Sequence, residues 1–261
     1  MNCMAQGSTL RREVRPSVLC AKSTQRGPRA CYHETYMRRM QVPVGAYFHV
    51  SNRGVDKKII FSEPMDYRRF IAYLYLLNTQ EKLRATDLID RHGLDDVLTY
   101  PIKKPLVAIG AYCLTPQAFH LYMTPLVKGG LSKFMQRLQT AYTMFFNEQR
   151  GRNGVLFQGA FKIKNISREI ETKFIFSYIH LNAAAIIDTD WVSMDARDFL
   201  RVRDDVSTYP YSSLHEYISK KHTITDPSKF PKFIAAARSV DDQISLWLRS
   251  RDEGMKSRFA L

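Results

Sequence analysis

Apolar and polar positions change period several times along this chain, and each change marks an element. AYFHVSN (46–52) alternates and predicts a strand, with RGVDKK as the turn after it. In FSEPMDYRRFIAYLYLLNTQ the period lengthens. Ser62 stands at an N-cap position, Pro64 in the first turn, and Phe70, Leu74 and Leu77 follow at helical spacing. Residues 81–104 are charged and irregular. VAIGAYCL (107–114) and FHLYMT (119–124) are near-continuous apolar runs flanking Pro116 and read as a close pair of strands. GGLSKFMQRLQTAYTMFFNEQRGRNG then predicts a long helix with Ser132 as cap, Gly151 as stop and Phe134, Leu138, Ala141 and Phe145 as its apolar stripe. VLFQGAFKIKNI is extended with a turn at Gly159. Ser167 caps a helix through FIFSYIHLNAAAI, the tail after Asp188 is mixed, and residues 224–250 suggest one or two further helices.

The order strand, helix, strand pair, helix, short strand, helix predicts an antiparallel α+β sheet with helices packed on it. Length adds that 261 residues suffice for one large domain with extensions, and a hydrophobic fraction of 45% supports a core. The expected division is 1–40 as a disordered basic extension or sequence upstream of the true start, 41–218 as the main domain, and 219–261 as a helical tail. Charge narrows the partners. A net +14 favours a polyanion, nucleic acid before a membrane surface, because no apolar run approaches a spanning length. The four cysteines, Cys3, Cys20, Cys31 and Cys113, have neither zinc nor disulfide spacing, so a cytoplasmic location is expected.

The chemistry concentrates in two places. His120 lies on the second strand of the central pair, just beyond Gln117 and Ala118. Tyr178 and Asn182 stand four apart on a helix and therefore share a face. Taken singly, a helical tyrosine or a strand histidine most often packs, and His49 in the first strand is a candidate to approach the sheet site but reads first as packing or solvent-facing. The ordered set YFHVSNRG, LTPQAFH, SKFMQRLQTAYTMFFN, LFQGAFK and YIHLN changes the weighting. Together these segments resemble the single-tyrosine HUH transposases, most closely the branch of REP-associated tyrosine transposases, over roughly half the chain.

The resemblance implies a ferredoxin-like, HUH endonuclease-like sheet, with a helical C-terminal extension beyond it. It implies cleavage and rejoining of single-stranded DNA through a 5′-phosphotyrosine at Tyr178, assisted by Mg or Mn. His120 and Asn182 match two of the metal ligands. Ala118 stands where the first histidine of the His-x-His pair belongs, which implies a weakened metal site. Gln117, next to it, reaches the metal only through a local bulge. Ala160 stands where the family carries an arginine. Residues placed to meet DNA phosphates are Arg53, Lys57, Lys58, Lys133, Arg137, Arg150, Arg152, Lys162 and Lys164. The partner expected is single-stranded or hairpin DNA, with a homodimer among the arrangements the family allows. The competing reading is a hairpin- or single-strand-binding protein that has lost catalysis with that histidine.

Overall fold

The computed structural model describes residues 42–237 and 239–251; the expected basic extension at 1–40 lies outside them. Four strands, β1 (Tyr47–Arg53), β2 (Val107–Thr115), β3 (Ala118–Pro125) and β4 (Lys162–Ile166), form one antiparallel sheet in the order β2-β3-β1-β4. Two helices separate β1 from β2: α1 (Pro64–Leu76) and α2 (Ala85–Asp96). α3 (Gly130–Gln149) links β3 to β4, and α4 (Glu169–Leu181) follows β4. Beyond it come α5 (Ala196–Thr208), α6 (Leu214–Ser219), α7 (Lys232–Ala236) and α8 (Val240–Ser250). No described helix is long and apolar enough to cross a membrane.

The period of two in β1 and β3 gives the sheet two different faces. Phe48, Val50, Phe119 and Leu121 point one way and are fully buried. α1 and α3 cover them, with the rings of Phe70 and Phe119 5.2 Å apart and Phe70 meeting Tyr142 edge-on at 5.0 Å. His49, Ser51, His120 and Tyr122 point the other way, toward α4. That face joins an apolar cluster containing Tyr122, Phe174, Tyr178, Trp191 and Trp247. The short hairpin between β2 and β3 sets this alternation, because Thr115 pairs with Ala118 across a two-residue turn, Pro116–Gln117. Ala118 and His120 are therefore on one face, and Gln117 is at the exposed tip of the turn.

Several local expectations shift. α2 occupies part of the stretch read as irregular. Only Ala85, Leu88 and Ile89 bury its inner side, and Gly93 inside it has φ +78°, so the helical period is short and diluted by charge. Ser62 sits one residue before the N-cap of α1, where its backbone N–H donates to Asp66 at 2.9 Å. Ser167 does the same for Glu171 at the start of α4, also at 2.9 Å. Gly129, in the left-handed region at φ +71°, takes the N-cap position of α3 in place of Ser132.

The segment after α5 protects the sheet. β2 is an edge strand, and an open edge is a site for unwanted pairing. Leu114 N–H donates to Tyr211 O at 3.0 Å, Ser213 N–H to Tyr112 O at 2.9 Å, and Asp226 N–H to Ile109 O at 2.9 Å. Gly110 makes room for this layer: a Cβ there would come within 2.9 Å of both Phe230 and Tyr122. Glu216 then anchors the following loop, accepting from the Thr225 N–H at 2.9 Å and its hydroxyl at 2.6 Å. α8 begins with a capping box between Ser239 and Asp242 and lies against α4, Trp247 meeting Phe174 at a ring separation of 4.7 Å.

Candidate functional site

α4 starts where Glu171 holds the backbone N–H groups of Ser167 and Arg168, and it ends at Asn182, which keeps right-handed helical angles. Tyr178 and Asn182 therefore fall one turn apart, and the Asn182 side chain is near enough to favour the ionised phenol. His120 meets the Tyr178 ring edge-on, 5.3 Å between centroids at 84°. β1 adds His49, which the sequence ranked first as a packing or solvent-facing residue. His49 Nε2 lies 3.1 Å from His120 Nδ1, and the ring of His49 is edge-on to Tyr178 at 6.1 Å. The signal for it was the alternation of β1, which puts His49 and Ser51 opposite Phe48 and Val50. What the sequence did not display was that β1 and β3 are neighbours.

The two imidazoles are nearly coplanar, 9° between planes and 5.3 Å between centroids. Together with the short N···N distance, that separation means both nitrogens lie close to the line joining the ring centres. This is the geometry of an N–H···N hydrogen bond, in which one ring donates and the other accepts. Burial, and then the Lys162 ammonium, pull the His120 pKa down to about 4. Burial, His120, Lys164 and Lys162 hold His49 well below its usual range. Both rings are therefore neutral near pH 7. Burial pushes the Tyr178 phenol well above its ordinary value, and the Asn182 side chain offsets part of that. Behind the phenol, Trp191 stacks at 5.4 Å and Trp247 at 6.0 Å, so Tyr178 is only 6% exposed.

The donor set does not fit the expected Mg or Mn. Ala118 contributes a methyl group on the face of His120, and Gln117 stays in the exposed turn. The near nitrogens of His49 and His120 are spent on each other instead of converging on a third point. Among the described residues no group of three or more His, Cys, Asp or Glu side chains comes together. Hard divalent cations take oxygen donors, carboxylates above all, and here two lysines adjoin the imidazoles instead. Asn182 remains as a single amide beside Tyr178.

The candidate DNA contacts separate into two groups. Lys162 and Lys164 lie on β4 directly across from Ser51 and His49, on the site's face. Lys57, Lys58 and Lys133 are exposed, and Arg53 is exposed while bonding Gln158. Arg137 and Arg150 do structural work instead. Arg137 donates to the carbonyls of Thr79 at 2.6 Å and Glu81 at 3.3 Å. Arg150 bonds Asp66 and Ser62, each at 2.7 Å, and stacks on Phe146 at 3.9 Å. Arg152 donates to Val155 O at 3.1 Å, closing its own loop. His180, two residues from Tyr178, is fully buried and meets Ser213 Oγ at 2.8 Å, so it ties α4 to the segment covering β2.

No family model matches the chain, and no curated protein matches it. Among solved structures it is similar to that of a REP-associated tyrosine transposase bound to a REP hairpin. The TM-score is 0.40 and the identity 14%, covering 77% of this chain and 91% of that one.

Proposed function

We propose that this chain is a transposase-like protein that binds single-stranded or hairpin DNA and cuts and rejoins it through Tyr178. The observation that carries this is the meeting of Tyr178 and His120, drawn from separate motifs, with Asn182 one helical turn beyond Tyr178 and the lysine pair of β4 on the same face. The antiparallel sheet order β2-β3-β1-β4 is compatible with the ferredoxin-like sheet that this reading expects. In the reaction the phenolic oxygen bonds to phosphorus and loses its proton. The bond from phosphorus to the 3′ oxygen breaks, and that oxygen takes up a proton. A 5′-phosphotyrosine and a free 3′ hydroxyl result, and the reverse attack rejoins the strand.

A second reading is favoured by Ala118 and by the burial of Tyr178: a protein that holds the DNA without cutting it. A denaturation-resistant adduct with labelled hairpin DNA separates the two. The first reading expects an adduct in the unaltered protein and none in Tyr178→Phe. Tight hairpin binding with an adduct only after Ala118→His would establish the second.

A further inference from the structure

Strand register arranges the polar side of the sheet in rows. Ser51 is paired with His120 on one side and with Lys162 on the other, and His49 with Tyr122 and Lys164. Side chains directly across neighbouring strands share a face. One row therefore presents His120, Ser51 and Lys162, and the next Tyr122, His49 and Lys164. Among the described residues, the charged groups in these rows are the two ammoniums. Titratable groups bordering them, among the described residues, include the Tyr178 phenol on α4, the Tyr47 phenol beside Tyr122, and the Cys113 thiol opposite His120 on β2.

The hydrogen bond between the histidines has two forms, and they suit opposite ligands. When His120 Nδ1–H donates to His49, His120 Nε2 carries a lone pair for a cation. When His49 Nε2–H donates to His120 Nδ1, His120 keeps its proton on Nε2 and offers a donor to an anion. The lysines oppose a cation and attract an anion, which selects the second form.

We propose that this face is a phosphodiester site that works without a divalent cation. Lys162 and Lys164 hold the phosphate, His120 donates to it from Nε2–H, and His49 fixes that proton by donating to His120 Nδ1. The site adjoins Tyr178, and ammonium and imidazole donors take the place a metal would fill in stabilising charge on the phosphoryl oxygens. The proposal rests on the DNA-binding reading above and specifies the chemistry of the same site.

The test uses the full chain labelled with 15N-histidine, in EDTA, with His120→Gln assigning the resonances. Long-range proton–nitrogen NMR should show His120 protonated on Nε2, and inorganic phosphate should shift those signals. Hairpin DNA, followed by fluorescence anisotropy, should bind equally in EDTA and in Mn. Joint Lys162→Ala and Lys164→Ala substitution should weaken it by about tenfold and lower the salt slope by about two. His49→Phe should release the tautomer and His49→Gln, which keeps a donor, should restore it.

A bare Nε2 on His120, hairpin binding that requires Mn, or full affinity in the double lysine variant would each overturn the proposal while leaving DNA binding intact. Phosphate shifting His120 in a protein that ignores the hairpin would instead overturn the DNA reading and uphold the anion site.

Discussion

Replacing Trp247 with alanine tests whether the last described helix belongs to the site. Trp247 is fully buried, and its ring lies 4.7 Å from Phe174, 5.2 Å from Trp191 and 6.0 Å from Tyr178. A buried tryptophan removes about 150–250 Å² from water, which at about 25 cal/mol per Å² is roughly 4–6 kcal/mol. Measured aromatic-to-alanine changes in cores run at about 3–5 kcal/mol, and we expect a loss in that range. Trp247→Phe is the informative control. The indole Nε1 has no hydrogen-bond partner among the described residues, so phenylalanine loses area but removes a buried donor that costs about 1–3 kcal/mol. The net change should stay within about 1 kcal/mol. Urea unfolding followed by circular dichroism is the assay, since the chain has two tryptophans and each variant removes one. Trp247→Ala should also depress adduct formation by Tyr178, whose ring it supports. A loss below about 1 kcal/mol for Trp247→Ala would refute the docking of α8 on α4 and the argument built on it.

Three further outcomes follow. Arg150→Ala leaves the buried carboxylate of Asp66 without its ion pair and should cost about 3 kcal/mol in urea unfolding while leaving the salt slope of hairpin binding unchanged. Asn78→Ala removes an amide that accepts from the Leu106 and Val107 N–H groups, each at 3.0 Å, and donates to Val107 O at 2.9 Å. It should lower stability by about 2–3 kcal/mol and loosen the start of β2, seen as faster amide exchange there. Acid should destabilise the fold through its buried imidazoles. Burial holds His180 at about 3 against an ordinary 6.5, so the unfolded chain binds more protons between those values and stability falls as pH drops through that window. His120 adds to the same slope over a narrower range. A melting temperature flat from pH 6.5 to 4.5 would contradict this assignment.

The sequence made the sheet legible wherever an element carried one period without interruption. β1 and α3 have long uniform patterns, and their positions follow from them. α2 stayed hidden because three buried side chains and an internal glycine give too little amphipathic signal against seven polar or charged positions in the same helix. α5 was missed for a similar reason, since Phe199, Val202 and Val206 bury one narrow stripe of a charged helix. At the site, Tyr178 with Asn182 was readable because helical spacing is local. His49 was only a weak candidate, because its partner His120 is 71 positions away and only the pairing of β1 with β3 joins them. Arg137 and Arg150 looked like surface charge for the same reason: their acceptors, Thr79 and Asp66, are distant in the chain.

Central to the proposed chemistry is Tyr178 reacting with DNA on a face that supplies its own positive charge. Peptide mass spectrometry reads this directly, on protein incubated with hairpin DNA and then trimmed by nuclease and trypsin. We expect a nucleotide remnant on the tryptic peptide 174–197, located on Tyr178, formed in EDTA as well as in Mn and absent from Tyr178→Phe. A hairpin-bound protein with no remnant, or with one on a different residue, would contradict it.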